Sequence, residues 1–296
     1  MAHPFFIVGS ARSGTTLLRL ILNAHPQVAV PPESRFVVEL YDGNEEVDVE
    51  DFLRRLSDHA RFQNWDIPVE AVRGEIGAAA RVTYADAIRA TFRAYAITNG
   101  KASWGDKTPR YVEELDLLCR ILPEAHVVHL IRDGRNVALS YADVPFGPKT
   151  VGRAAALWAR RVMAGRDACP RIGKDRYLEI HYEDLVEDPV GEIKDICTFL
   201  GLEFDPGMMD YTERARGSVL PRASMYNPHV REKPQKNVRS WEDSMPDAQI
   251  EIFEAVGGDA LSLLGYERRF PRPSAKARLV GRLSNLGVPI GRIRSR

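Results

Sequence analysis

The feature that most constrains this chain is a glycine loop, Gly9-Ser-Ala-Arg-Ser-Gly14-Thr15-Thr16. It follows an apolar run at residues 5–8, which predicts a buried strand, and leads into residues 15–24, which predict a helix packed in the core. Glycines between a strand and a helix let backbone N–H groups turn toward an anion, and the helix dipole favours that anion further. The loop therefore predicts a phosphate site in an α/β fold.

The residue at position 15 limits which anion this loop can bind. The spacing is that of G-x-x-x-x-G-K-[ST], but Thr15 stands where nucleoside triphosphatases have a lysine that neutralises phosphates beside a magnesium ion. Arg12 instead places a cation inside the loop, and no acidic residue at a strand end is a convincing metal partner. We expect an anion less charged than a triphosphate, bound without a metal. A tight connection that binds nothing is the alternative.

Further strands are predicted from apolar runs at residues 102–104, 126–131 and 177–180, and each is followed by helical sequence. This alternation is typical of a doubly wound parallel sheet. Other predicted helices lie at residues 112–121, 151–168, 190–200 and 247–256. We expect one domain over residues 1–270, in which the acidic, helical residues 35–99 form an insertion that shapes the cleft for an acceptor.

The last part of the chain differs in composition from the rest. Residues 271–296 hold seven Lys or Arg and no acidic residue, with scattered prolines and glycines. We expect a basic, poorly ordered tail. A role at a membrane surface or with a partner protein is the alternative.

The overall composition excludes several classes of function. Lys+Arg and Asp+Glu both number 41, so no global field attracts a polyanion, and we expect no nucleic-acid partner. The three cysteines are widely separated and form no metal-binding pattern. We therefore expect a cytoplasmic protein. We also expect no signal peptide and no transmembrane segment, because no apolar run is long enough to span a bilayer.

A second candidate anion site follows the strand predicted at residues 126–131. The segment there reads Arg132-Asp-Gly-Arg-Asn-Val-Ala-Leu-Ser140-Tyr. Arg132 lies at the carboxyl edge of a parallel strand, where open α/β sheets bind ligands, and Ser140 lies about two helical turns further on. Together these two side chains can bind one phosphate.

The segments GSARSGTTLL and IRDGRNVALSY resemble the two nucleotide signatures of sulfotransferases that use 3′-phosphoadenosine 5′-phosphosulfate (PAPS). The resemblance continues through PPESR, WGDKTPRY, HYEDLVEDP and EKPQKN, and it is closest to the tyrosylprotein and bacterial branch. It implies a P-loop NTPase-like three-layer sandwich with a central parallel sheet and inserted helices. It also implies PAPS as donor, a hydroxyl-bearing acceptor (small molecule, glycan, lipid or peptide) and, in some relatives, a homodimer.

The resemblance also implies which residues bind the donor. Those expected around the 5′-phosphosulfate are Arg12, Ser13, Gly14, Thr15 and Thr16. Arg132 and Ser140 are expected on the 3′-phosphate, and Tyr182 near the adenosine. A late lysine that returns to the phosphosulfate is matched loosely by Lys233, with Lys236 and Arg239 as alternatives.

Sulfuryl transfer needs a base for the acceptor hydroxyl and a cation where negative charge develops. The resemblance implies Glu33 as the base, and two preceding prolines hold its backbone extended. We expect a bound polyanion to raise the pKa of Glu33. Arg35 is expected to orient Glu33 or the acceptor, and Lys107 to contact the transferring group. The alternatives are a helix-stabilising Glu33 and a solvated turn lysine.

Two other functions stay open at the level of sequence. One is a phosphate-loop kinase, which the missing loop lysine argues against. The other is a nucleotide-binding protein without catalysis, which Glu33 and Lys107 argue against. Histidine is the base in the cytosolic branch, but His25, His126, His129 and His181 lie in strand or turn sequence, and we expect them to be structural.

Overall fold

The computed structural model describes residues 3–214 and 240–293. A central sheet of five parallel strands has the order β2-β5-β1-β6-β7, and β3 and β4 form a separate antiparallel pair. The strands are β1 (Phe5–Gly9), β2 (Val28–Ala29), β3 (Glu46–Asp48), β4 (Arg81–Thr83), β5 (Ser103–Lys107), β6 (His126–Ile131) and β7 (Tyr177–His181). The predicted central parallel sheet is confirmed.

The sheet is covered on both faces, which gives three layers. On β1, Phe5 and Ile7 pack into one apolar cluster and Phe6 and Val8 into another, as expected when successive side chains point to opposite faces. The helices are α1 (Thr15–Asn23), α2 (Phe36–Glu39), α3 (Val49–Asp58), α4 (Ala60–Gln63), α5 (Val69–Ile76), α6 (Tyr84–Thr98), α7 (Leu115–Ile121), α8 (Gly134–Ala142), α9 (Val151–Ile172), α10 (Tyr182–Glu187), α11 (Pro189–Phe199), α12 (Tyr211–Arg214), α13 (Trp241–Ser244), α14 (Asp247–Leu263) and α15 (Ala275–Asn285).

Residues 35–99 are largely helical, as the sequence predicts, and contain α2 to α6 with the β3–β4 pair. An aromatic cluster attaches this region to the sheet. Trp65 lies 5.0 Å from Phe36 and 5.1 Å from Phe92 between ring centroids, and Phe92 stacks on Trp104 of β5 at 4.4 Å. The region is therefore fixed against the strand that carries Lys107. That it shapes an acceptor cleft stays a prediction.

Two predicted helices differ from those observed. The one expected at residues 112–121 is divided into a 3-10 helix, Pro109–Glu113, and α7, because Glu114 leaves the helical conformation. The one expected at residues 151–168 continues to Ile172, and Pro170 is accommodated inside its last turn. None of the described helices is long and apolar enough to cross a membrane.

The expectation of a poorly ordered tail is wrong for residues 274–293. Ser274 caps α15 by accepting a hydrogen bond from the Ala277 amide at 3.2 Å, and Ala277, Gly281 and Ser284 are buried. A Cβ at Gly152 of α9 would collide with Ser284 and the Gly281 carbonyl, so a glycine is required where the two helices meet. The tail is basic, but small residues on one side of α15 let it pack onto the domain.

Candidate active site

The glycine loop joins β1 to α1 at the carboxyl edge of the sheet. Gly14, with φ 93°, is the residue before the first turn of α1, and no side chain caps that helix. A Cβ at Gly14 would overlap the Tyr182 ring, so both its conformation and its surroundings require glycine. Ser13 is buried, and its hydroxyl has no hydrogen-bond partner in the described structure. A buried hydroxyl without a partner at a helix N-terminus suits an anionic ligand.

The two predicted anion sites lie in direct contact. Arg12 Nε donates to Ser140 Oγ at 2.9 Å, and Arg132 Nη1 donates to the Arg12 carbonyl oxygen at 3.4 Å. Arg132 Nε is buried and has no hydrogen-bond partner among the described residues. Of the two threonines that follow in the loop, Thr15 is buried and Thr16 is partly exposed. The structure therefore brings the loop and the second signature together at one place.

Tyr182 forms one wall of this place. Its ring lies against Gly14, and the Arg132 guanidinium carbon lies 4.4 Å from the ring centroid. A guanidinium over an aromatic face is held by the ring quadrupole, which fixes the orientation of Arg132. The Arg132 carbonyl oxygen also accepts a hydrogen bond from Trp158 Nε1 at 3.0 Å.

Arg135, the second arginine of the same segment, has a different environment. It is 1% exposed and forms ion pairs of 2.8 Å with Asp133 and with Glu254 of α14. Its guanidinium carbon lies 3.6 Å from the Trp241 ring centroid. Asp133 also caps α8 by accepting from the Arg135 amide at 2.8 Å. Arg135 therefore fixes the start of the helix that carries Ser140, and its ion pairs involve no residue of the predicted anion sites.

Glu33 and Lys107 form an ion pair at the same sheet edge, with Lys107 Nζ 2.9 Å from Glu33 Oε1. The lysine is 8% exposed and the glutamate 31%. Burial alone would raise the pKa of Glu33, but Lys107, Arg61 and Arg35 together hold it below its ordinary value. The nearest charges in the protein are cations and lower this pKa, while the rise expected from a bound polyanion stays a prediction. Glu33 is ionised at neutral pH and can accept a proton.

A buried network fixes the residue next to Glu33. The Ser34 amide donates to Thr108 Oγ1 at 3.1 Å, and Ser34 Oγ donates to Asp106 Oδ2 at 3.0 Å. Ser34 Oγ also lies 3.1 Å from the Tyr111 hydroxyl. Asp106 is fully buried, and burial raises its pKa to about 7 despite hydrogen bonds from Thr108 and Ser34. Asp106 positions the Glu33 loop and does not cap the following 3-10 helix.

Two other side chains complete the surroundings of Glu33. Arg35 has φ 51° and pairs with Glu39 at 3.0 Å, so its charge is near Glu33 but its ion pair is directed elsewhere. Arg19 of α1 is buried and donates from Nη1 to the Val30 carbonyl oxygen at 2.8 Å, ahead of the two prolines. Sequence reasoning missed Arg19, although a lone arginine inside an apolar helical run is a signal of a buried polar contact.

The remaining candidates are placed as follows. His129 is fully buried, with Nδ1 2.5 Å from the Tyr177 hydroxyl, and burial lowers its pKa to about 3. His126 stacks on His3 at 4.1 Å, and His25 Nε2 lies 2.9 Å from the Glu203 carbonyl oxygen. These contacts support structural roles. The late-lysine candidates Lys233, Lys236 and Arg239 lie outside the described residues. Within residues 3–214 and 240–293, no His, Cys, Asp and Glu cluster could hold a metal ion.

Family models agree with this arrangement. A model described as "Sulfotransferase family" matches residues 4–206, and a second, "Sulfotransferase domain", matches residues 168–265. The first match covers both anion signatures, Glu33 and Lys107.

Curated relatives point to the same family. Nodulation protein NoeE of Sinorhizobium fredii is 28% identical over 292 residues, which cover 89% of this chain and 66% of that protein. The protein-tyrosine sulfotransferase of Drosophila melanogaster is 24% identical over 278 residues, which cover 88% of this chain and 51% of that protein. The chain thus spans about two thirds of the length of one relative and half of the other.

Solved structures share the fold. The sulfotransferase domain of the Synechococcus PCC 7002 olefin synthase superposes with a TM-score of 0.59 at 23% identity, covering 90% of this chain and 97% of that one. The sulfotransferase domain from the curacin biosynthetic pathway gives 0.61 at 18% identity, with 90% and 99% covered. The P-loop NTPase-like fold predicted from the sequence is confirmed by this likeness.

Proposed function

Because the chain belongs to the sulfotransferase family, we propose that it moves a sulfuryl group from PAPS to a hydroxyl group of an acceptor. The observation that supports this most is the 2.9 Å contact between Arg12 Nε and Ser140 Oγ. A nucleotide with phosphates at both its 3′ and 5′ ends needs two adjacent anion sites, and this contact joins two such sites.

The loop residues would bind the 5′-phosphosulfate, and Arg132 with Ser140 the 3′-phosphate. The buried Ser13 hydroxyl and Arg132 Nε, both without a protein partner in the described structure, fit the oxygens of such a donor. Backbone amides at the start of α1, from Gly14 to Thr16, would add neutral donors. Tyr182 would lie by the adenosine. Lys233 remains a prediction for the phosphosulfate end.

The position of Glu33 supports a role as general base. The loop after β1, Lys107 at the end of β5 and Arg132 after β6 come from three adjacent parallel strands, whose carboxyl ends lie at one edge. Glu33 takes the proton from the acceptor hydroxyl while the acceptor oxygen bonds to sulfur. The sulfur–oxygen bond to the 5′-phosphate breaks, and adenosine 3′,5′-bisphosphate leaves with the electron pair.

Lys107 and Arg12 would stabilise the charge that develops on the departing oxygen. A sulfuryl group carries less charge than a phosphoryl group, so these cations and the loop amides suffice and the proposal requires no metal. Arg35, beside Glu33 in sequence and exposed enough to reach an acceptor, is the proposed orienting residue.

The acceptor is proposed only as a class: a hydroxyl on a small molecule, glycan, lipid or peptide. One relative is named for protein tyrosine and another for nodulation.

We keep a cytoplasmic location as a proposal, supported by three free cysteines, Cys119, Cys169 and Cys197. No nucleic-acid partner is proposed, and the equal numbers of basic and acidic residues support this. A homodimer stays a proposal, which sedimentation tests by measuring the mass of the particle in solution.

Thermal stabilisation tests the donor. Adenosine 3′,5′-bisphosphate should raise the melting temperature without magnesium, because it binds only the folded state. ATP with magnesium should do little. Strong magnesium-dependent protection by ATP with none by the bisphosphate would instead indicate a kinase and refute the proposal.

The base is tested separately. Glu33→Gln should keep stabilisation by the bisphosphate but lose about 10²–10⁴-fold in the rate of bisphosphate release from PAPS with acceptor, as expected when a general base is removed. The matched control is Glu45→Gln, an exposed glutamate in the helical region. The acceptor for this assay is found by screening candidate hydroxyl compounds for a gain of one SO₃ by mass spectrometry. Unchanged turnover in Glu33→Gln would exclude this glutamate as the base.

A further inference from the structure

The outer side of α15 has a composition that the proposed reaction does not use. Leu279 is 59% exposed and Leu286, directly after the helix, is 81% exposed. Seven residues apart, they lie on the same side of the helix, opposite the buried Ala277 and Ser284. Val288, 38% exposed, follows close by. Large apolar side chains at such exposure on one helix side form an unpartnered apolar stripe.

Basic side chains border this stripe on both sides. Arg278 and Arg282 lie along one border and Lys276 along the other, as the helical spacing of 100° per residue requires, and all three are exposed. Arg272 and Arg292 are exposed at the two ends of the segment. No acidic residue occurs in residues 271–296.

Hydrogen bonds hold the helix and the segment after it against the domain with this side outward. Thr150 Oγ1 donates to the Ser284 carbonyl oxygen at 3.1 Å, and the Val151 amide donates to the Gly291 carbonyl oxygen at 2.9 Å. The stripe therefore does not need to be ordered on binding, which lowers the entropic cost of association.

We propose that the outer side of α15 binds the surface of an anionic lipid bilayer. The leucines insert at the boundary between headgroups and acyl chains, while the flanking arginine and lysine side chains reach the lipid phosphates. A second copy of the chain fits poorly, because a two-fold contact would bring the same basic borders together. An acidic protein would satisfy the charges, but two protruding leucines on one side of this segment suit a fluid apolar layer better than they suit a preformed surface.

Vesicle co-sedimentation of the full chain tests this. Vesicles of equal parts phosphatidylserine and phosphatidylcholine should bind the protein, pure phosphatidylcholine should bind it weakly, and added salt should release it. Arg278→Gln with Arg282→Gln should lower the partition coefficient roughly tenfold or more, since each basic residue near the surface contributes to binding. Leu279→Ser with Leu286→Ser should lower it as well.

The matched control is Ile97→Ser, because Ile97 on α6 is 58% exposed and the arginine one turn before it, Arg93, is paired with Glu75 at 3.4 Å. Melting temperature and stabilisation by adenosine 3′,5′-bisphosphate should be unchanged in every variant, so loss of vesicle binding reports on the surface alone. The proposal is overturned if the wild-type chain does not co-sediment with anionic vesicles at low salt. It is equally overturned if the leucine variant binds anionic vesicles as well as the Ile97→Ser control does.

Discussion

The pKa of Asp106 makes a specific prediction about stability and pH. This carboxyl is fully buried, and its pKa is raised from 3.8 to about 7, mainly by burial. In the unfolded chain it ionises near its ordinary value, so between pH 4 and pH 7 the unfolded state binds fewer protons than the folded state. Stability therefore falls as pH rises through this window and levels off above pH 7. From pH 4 to pH 8, the two pKa values give a loss of roughly 4 kcal/mol from this one group.

Asp106→Asn removes that titration. Its amide oxygen can still accept from Ser34, and any cost of burying the amide nitrogen is the same at every pH, so that cost cancels in the comparison. The stability of the variant relative to the wild type should therefore rise by roughly 3–4 kcal/mol from pH 4 to pH 8. Denaturant unfolding of both proteins at several pH values measures this. Asp259→Asn, at an exposed position on α14, is the control for the substitution itself. If the difference between wild type and Asp106→Asn is constant with pH, the reasoning about burial is wrong.

The ion pairs of the site give further predictions. Lys107→Met removes the main cation that lowers the pKa of Glu33, so this pKa should rise. The acid limb of the rate–pH profile should then move to higher pH. An acid limb at the wild-type pH would contradict Glu33 as the titrating base. Glu254→Gln leaves Arg135 buried with only one carboxylate and should destabilise the fold by roughly 3–5 kcal/mol, seen as a lower urea midpoint. Asp247→Asn, which removes an exposed ion pair on the same helix, should change the midpoint little, and equal effects of the two would refute the argument.

Most of the sheet could be predicted because its central strands, β1 and β6, are largely apolar and buried on both faces. The strands β6 and β7 were placed within a residue of their ends, because β6 is a mostly apolar buried run and β7 is a short run with Tyr177, Leu178 and Ile180 bounded by polar sequence. The strand β2 could not be found in the same way. It has two residues, Val28 and Ala29, and exists because the chain after α1 passes beside β5, with backbone pairing to Ser103 and Trp104. That contact depends on tertiary structure and leaves no periodic pattern.

The residues of the site likewise fall into those that could be predicted from the sequence and those that could not. The residues proposed to bind the anion could be found in the sequence because each group is contiguous and follows a strand end. The hydrogen bonds that hold these residues in place could not be predicted, because they join distant positions: Ser34 to Asp106, Arg19 to Val30, and Arg135 to Glu254. For α15 a signal was present. Its small residues recur at spacings of four and three, which lets a helix approach another closely even where basic composition suggests disorder.

The buried ion pairs of Arg135 suggest a test of whether charge outside the predicted anion sites positions their residues. Arg135 is neutralised by Asp133 and Glu254, and Asp133 in turn caps α8, so the ion pairs fix where that helix begins. Ser140 lies seven residues after Asp133, which is about two turns along the same side of the helix. A shift of the cap therefore moves the Ser140 hydroxyl relative to Arg12. If the buried pairs act through this helix, Glu254→Gln should weaken binding of adenosine 3′,5′-bisphosphate, measured by calorimetry on the folded fraction, although Glu254 lies in α14 and outside the proposed nucleotide-binding residues. Unchanged affinity would mean that these pairs stabilise the fold without positioning the site.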